Sequence, residues 1–236
     1  MRHRAYYNEF EPYAAAWLRN LIAEGLIPDG DVDERSIVDV EPGDLAGYTQ
    51  VHFFAGLGGW GHALRLAGWP DERPIWTGSC PCQPFSGAAR GRTRGMQDET
   101  KHLWPHFFRL IEARRPPVVF GEQVASAGAW FDRVCDDLEG VGYAIDAAVL
   151  PAVSVGADHI RYRLYFVGYS DGDGQPVVPV DAEVERVPRH RGDAGTVARA
   201  DGVPARVGRL RAYGNAIVPQ VAAEVIRAYL DAEILS

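Results

Sequence analysis

The chain has 236 residues, 47% hydrophobic and 24% charged, with a formal net charge of −8. This suits one large α/β domain or one core with a small appendage, and the acidic excess argues against nucleic-acid binding by global attraction, so phosphate contacts need a local basic patch. Three cysteines (Cys80, Cys82 and Cys135) exclude a disulfide framework and lack zinc-site spacing, no apolar run reaches membrane-span length, and Met1-Arg2-His3-Arg4 does not begin a signal peptide, so free thiols, no membrane and a cytoplasmic location are expected.

Ala5-Tyr6-Tyr7 is predicted as a short strand, followed by a polar turn and a helix over Tyr13 to Ile22, where apolar residues recur at helical spacing. Leu26 to Val32 reads as a second short strand ending in acid. A polar connection follows, with a short helix at Gly43 to Gly47. Thr49 to Phe54 is a β-prone run suited to the interior of a parallel sheet. It opens into Ala55-Gly56-Leu57-Gly58-Gly59-Trp60 and a helix over Gly61 to Ala67. A strand, a Gly-rich turn and a helix make a candidate nucleotide-cofactor site, although tight turns need glycine too.

Pro74 to Gly78 is a strand that leads into Ser79-Cys80-Pro81-Cys82-Gln83-Pro84-Phe85-Ser86. A thiolate is well suited to attack an electron-poor ring carbon and to leave later, provided the pocket lowers its pKa from about 8.5. On the tripeptide alone, a structural or redox C-x-C pair is equally open. Arg90, Arg92 and Arg94 follow on the same loop as a basic patch. A helix over Leu103 to Ala113, a strand over Pro116 to Phe120 ending at Gly121-Glu122-Gln123-Val124, a helix over Ala129 to Leu138, and strands over Tyr143 to Leu150 and Leu164 to Tyr169 complete the core. From Ser170 to about Pro204 no period persists, which reads as a loop-rich insert or a partly disordered segment. The chain closes with Tyr213-Gly214-Asn215 and a helix through Leu230.

Phe54-Ala55-Gly56-Leu57-Gly58-Gly59, Pro81-Cys82-Gln83, Gly121-Glu122-Gln123-Val124, Arg161-Tyr162-Arg163 and Gly214-Asn215, in that order, resemble the motif set of the DNA (cytosine-5) methyltransferases. Only about twenty residues separate the glycine loop from the cysteine loop, where members of that family usually place two more strands. The missing segments stand upstream: Asn8-Glu9-Phe10-Glu11-Pro12-Tyr13-Ala14 resembles the ribose-binding segment and Gly30-Asp31-Val32 the adenine-binding one. The resemblance is therefore to a circularly permuted member. It implies a Rossmann-like α/β fold with a mostly parallel sheet, helices on both faces and permuted strand order. Residues 1–169 would form the catalytic core, 170–204 a reduced target-recognition insert, and 205–236 a closing motif and helix. If Glu9 and Asp31 lie on sheet neighbours of the glycine-loop strand, the helix from Gly61 must cross toward the cysteine strand on the opposite side, so either that helix changes face or its crossover is of unusual hand.

The resemblance further implies methyl transfer from S-adenosyl-L-methionine to carbon 5 of a cytosine flipped out of DNA. Cys82 would be the nucleophile at carbon 6. Glu122 would act on ring N3 and the exocyclic amine, while Arg161 and Arg163, on one face of a strand, would contact the base carbonyl, a phosphate or the cysteine loop. Glu9, Phe10, Asp31, Val32, Phe54, Gly56, Leu57, Gly58, Gly59, Trp60, Pro81 and Asn215 would form the cofactor pocket. Gln83, Ser86, Arg90, Arg92 and Arg94 would meet the nucleic acid. Cys80 reads as structural and Cys135 as core. Gln123 stands where the family usually has Asn, and His159 where it commonly has Gln. The short insert leaves two alternatives: a catalytically weak DNA- and cofactor-binding subunit that needs a partner chain for target recognition, or the same chemistry on another nucleic-acid substrate.

Overall fold

The computed structural model describes residues 4–81, 103–157, 160–170 and 217–235. Cys82, Gln83, Ser86, Arg90, Arg92, Arg94, His159 and Asn215 lie outside the described residues, as does the insert after Ser170.

Seven strands form one sheet: β1 (Ala5–Asn8), β2 (Gly30–Asp33), β3 (Gln50–Phe53), β4 (Ile75–Gly78), β5 (Val118–Val124), β6 (Ala144–Pro151) and β7 (Tyr162–Tyr169), in the order β2-β1-β3-β4-β5-β7-β6. The first five run parallel, and β7 is antiparallel to both β5 and β6. The helices are α1 (Pro12–Ala23), α2 (Gly59–Ala67), α3 (Trp104–Arg114), α4 (Gly128–Gly140) and α5 (Pro219–Leu235). This is a Rossmann-like α/β fold. No helix among the described residues is long and apolar enough to cross a membrane.

Strands β1, β3 and β4 are buried along their whole length, as a parallel sheet covered on both faces requires. Period-two alternation sorts their side chains into two layers. Tyr6, Val51, Phe53, Trp76 and Val119 pack with α3, α4 and the 3₁₀ turns at Ile37–Asp39 and Pro42–Leu45. On the opposite face, Ala5 and Tyr7 pack with Leu18 of α1, while Ile75, Val118 and Phe120 pack with α2 and α5. Helices α1 and α2 share that face: a Cβ on Gly58 would lie 2.9 Å from Leu21.

This placement resolves the crossover question. The β1-α1-β2 unit steps one way across the sheet, and β3-α2-β4 steps the other way over the same face. The two units therefore have opposite hands. The links β2 to β3 and β4 to β5 step the second way over the other face, which matches the hand of the first unit. Because about 98% of parallel crossovers are right-handed, β3-α2-β4 is the exceptional one.

Several boundaries differ from the sequence reading. The strand expected over Leu26 to Val32 starts later and ends one residue further on, at Gly30–Asp33, where Gly30 packs so tightly on β1 that a Cβ would lie 2.0 Å from the Ala5 carbonyl oxygen. The expected Gly43 to Gly47 helix is a 3₁₀ turn that begins at Pro42. Strand β5 continues past Gly121 to Val124 because antiparallel β7 pairs with it throughout. Cys135 is not core but half-buried on the flank of α4, with its thiol pushed up to about 11 by burial and by neighbouring acids.

Candidate active site

The carboxyl ends of β1, β3, β4 and β5 gather the motifs along one sheet edge, the usual place for ligands in open α/β sheets. The β6–β7 connection, which carries Arg161, returns to the same edge because Val124 pairs with Arg163.

At the end of β3 the chain turns through three consecutive features. Phe54 adopts a left-handed φ of 52°, followed by Gly56 and Gly58 at 54° and 80°. Gly58 then caps α2 with no side-chain acceptor, so the first N–H groups of the helix lack a side-chain cap at the mouth of the loop. A Cβ on Gly59 would lie 2.6 Å from Ile217, which wedges the loop against the approach to α5. Leu57 is half-buried within this loop.

Glu9, directly after β1, reaches across to this loop. Its Oε2 accepts from Gly56 N at 2.7 Å and its Oε1 from Glu11 N at 2.9 Å. Burial raises its pKa, and the two backbone donors oppose that rise. Phe10, beside it, is 71% exposed. Asp31 and Val32 lie on opposite faces of β2. The Asp31 carboxylate pairs with Arg4 at 2.7 Å and accepts from Tyr48 Oη at 2.7 Å. Asp33, closer to the carboxyl edge, is a second carboxylate at this strand; it accepts from Tyr6 Oη and pairs with Arg35. The period-two spacing of Asp31 and Asp33 was its signal in the sequence.

Trp60 departs from its expected place. Its side chain is 2% exposed and packs on Phe120 and Tyr165, so only its backbone borders the loop. The helical phase after Gly59 turns the indole into the core.

Glu122 is 6% exposed on β5. Arg163 Nε lies 2.7 Å from its Oε1, yet this contact is electrostatic rather than a well-aligned hydrogen bond, and Oε1 has no aligned donor among the described residues. Burial raises the Glu122 pKa. The Arg163 and Arg161 charges and the Ser79 hydroxyl counter that rise without cancelling it. A carboxyl group held in this way keeps its proton to higher pH than an exposed one. Arg161 is itself half-buried, and desolvation together with Arg163 lowers its pKa.

The neighbouring Gln123 points to the other face, where Nε2 donates to the Cys80 carbonyl at 2.9 Å and Oε1 accepts from Val124 N at 2.8 Å. Cys80 is buried in the core, as expected of a structural residue, and Pro81 is exposed at the end of the described segment.

A family model for the C-5 cytosine-specific DNA methylases matches residues 69–193, more than half of the chain. The chain belongs to that family. The Type II methyltransferase M1.HphI of Haemophilus parahaemolyticus is 32% identical over 114 residues, 46% of this chain and 30% of the relative. M.NgoBI of Neisseria gonorrhoeae is 31% identical over 107 residues, 43% of this chain and 33% of its own length. These matches thus span about a third of each relative. The solved structure of a Spodoptera frugiperda DNMT2 mutant aligns over 80% of this chain and 56% of its own, with a TM-score of 0.45 and 14% identity.

Proposed function

We propose that this methylase-family chain transfers a methyl group from S-adenosyl-L-methionine to carbon 5 of cytosine in DNA. The observation that carries the reading is the Glu122 carboxyl, buried beside Arg163, on a strand whose next residue donates to the carbonyl of Cys80, directly before Pro81-Cys82-Gln83 in the chain.

The chain's residues fit the cofactor. The Glu9 carboxylate has lone pairs to spare for ribose hydroxyls, Phe10 offers an exposed ring for stacking, and the α2 N-terminus has no side-chain cap. Asp31 and Val32, with Asp33, border the adenine side, while Phe54, Gly56, Leu57, Gly58, Gly59, Pro81 and Asn215 complete the pocket. S-adenosylmethionine supplies an electrophilic methyl group there.

Cys82, as thiolate, adds to carbon 6 of the flipped base. Glu122 supplies a proton or hydrogen bond to N3 and accepts from the exocyclic amine, so electrons move to carbon 5, the site of methylation. Loss of the carbon 5 proton to water, with return of the N3 proton to Glu122, then expels Cys82 as its thiolate and restores the aromatic ring. Arg161 and Arg163 hold Glu122 and the base carbonyl. Gln83, Ser86, Arg90, Arg92 and Arg94 meet the DNA. The order of β1 and β2 before the glycine loop supports a permuted chain, with residues 1–169 as catalytic core and 170–204 as a short recognition insert.

The deciding experiment is incubation with 5-fluorocytosine DNA and cofactor. A stable adduct mapping to Cys82, lost in Cys82→Ser, is expected. An adduct elsewhere, or normal methylation by Cys82→Ser, overturns the assignment.

A further inference from the structure

We infer that Ser79 and Trp60 are positioning residues for Glu122, forming a hydrogen-bonded link from the helix after the glycine loop to the acid proposed to face the base. The inference rests on the proposed role of Glu122 and adds to it a connection between the two halves of the site.

The link follows from donor and acceptor chemistry. Trp60 Nε1 lies 3.0 Å from Ser79 Oγ. An indole nitrogen can only donate, so the Ser79 hydroxyl accepts there, and its single proton remains for the Glu122 carboxyl, which the register step after Gly78 and Gly121 places beside it on the same face. Neither end is free to drift. The indole is locked by Phe120 at 6.1 Å and Tyr165 at 6.2 Å between ring centroids, while Ser79 directly follows β4, the parallel neighbour of β5. Thr77, Ser79, Phe120, Glu122, Arg163 and Tyr165 share one face of the sheet by register.

The charged and titratable groups around Glu122 among the described residues are Arg163, Arg161 and Tyr165, all from the β7 side. Ser79 is the neutral donor from the β4 side. It opposes the arginines geometrically, so the carboxyl is gripped from two strands rather than pulled toward one. Its bond favours the ionised form and offsets part of the burial effect. Without it, Glu122 would hold its proton to still higher pH and would be held from the β7 side alone.

The test reads Glu122 directly. Protein carrying ¹³C-labelled glutamate is titrated by NMR, with the Glu122 carboxyl resonance assigned through its loss in Glu122→Gln. In Ser79→Ala the midpoint is expected to rise by about one pH unit, the scale of one lost charge-assisted hydrogen bond. Trp60→Phe, which keeps the ring packing and removes only the N–H, should shift it the same way by less, and Ser79→Thr should restore the wild-type midpoint. The alkaline limb of methyl transfer should move with the midpoint. A midpoint unchanged in Ser79→Ala, or shifted equally by Ser79→Thr, overturns the link. Wild-type protein that shows the expected titrations but transfers no methyl group overturns the proposed function and leaves the link standing.

Discussion

Gln123 Nε2 donates to the Cys80 carbonyl at 2.9 Å, so the strand that carries Glu122 also fixes the backbone two residues before Cys82. Here the longer amide does two jobs. It spans the gap to the β4 exit while its oxygen still takes the Val124 N–H. Where the family usually has Asn, this chain uses the extra methylene for reach.

Gln123→Ala leaves the Cys80 carbonyl and the Val124 N–H without these partners, at a cost of about 1–3 kcal/mol for buried groups. Methyl transfer is expected to fall about tenfold or more, because small misplacements of Cys82, the proposed nucleophile, are costly. S-adenosylhomocysteine affinity should fall less, since of the proposed pocket Gln123 borders only Pro81, through the Cys80 carbonyl, while Glu9 and the glycine loop keep their contacts. Gln123→Asn should fall between the two, since the shorter side chain keeps the amide but loses one bond. Single-turnover rates beside calorimetric affinities check both claims, and an equal loss of affinity would refute them.

Glu9 joins β1 to the glycine loop through Gly56 N. Glu9→Ala should therefore weaken cofactor binding twice over, by removing the proposed ribose acceptors and by releasing the loop. A loss of about tenfold to a hundredfold is expected, at about 1.4 kcal/mol per factor of ten. Glu9→Gln retains an acceptor for Gly56 N and should lose less. Because the ionised form is the better acceptor and burial raises the Glu9 pKa, wild-type affinity should decline on acidification earlier than for an exposed carboxylate. Calorimetry across pH with wild type and Glu9→Gln measures this, and parallel pH curves for the two would sink it.

The glycine loop and the strand-end acids were legible in the sequence because each is a local pattern: a β-prone run, then glycines, then a helix. The reach of β5 through Glu122 to Val124 was not. It depends on β7 returning antiparallel, a pairing between residues 118–124 and 163–169 that no local signal carries. The inward turn of the Trp60 side chain was hidden for a related reason. Adjacency to the loop suggested a pocket residue, but α2 begins at Gly59, two residues earlier than its apolar pattern indicates, and the helical phase aims the indole at Phe120 and Tyr165. Ser79 gave no signal at all, since a serine at a strand end is ordinary until its neighbours across the sheet are known. The face chosen by α2 was likewise hidden, because the right-handed rule predicts the other one.

Gly121 lies opposite Phe166 in the β5–β7 register, and a Cβ there would stand 2.1 Å from the Phe166 ring. Real Cβ contacts do not come so close, so Gly121→Ala must displace a ring that also packs on Trp104, Trp130 and Phe131. Overpacking of this kind costs about 1–3 kcal/mol or more. The chemical-denaturation midpoint should fall accordingly, and Glu122, the next residue, should move with the strand. Double substitution with Phe166→Leu should recover part of the stability. No recovery would mean that the clash is not the cause.

His52 is fully buried on β3. Its Nδ1 is 2.8 Å from Thr77 Oγ1, its ring stacks on Tyr7 at 4.9 Å, and Nε2 has no hydrogen-bond partner among the described residues. Burial pushes its pKa down from 6.5 to about 3. The sign follows directly. Between those values the unfolded chain binds a proton that the folded chain refuses, so folding stability is complete above about pH 6.5 and declines as pH falls toward 3. This single group contributes a slope of up to about 1.4 kcal/mol per pH unit in that window. His52→Asn keeps a short amide for Thr77 and does not titrate. Urea unfolding of both proteins at pH 7.5, 6.0 and 5.0 should show the wild type losing stability more steeply than the variant, even though the variant starts lower. Equal slopes would place the acid sensitivity elsewhere.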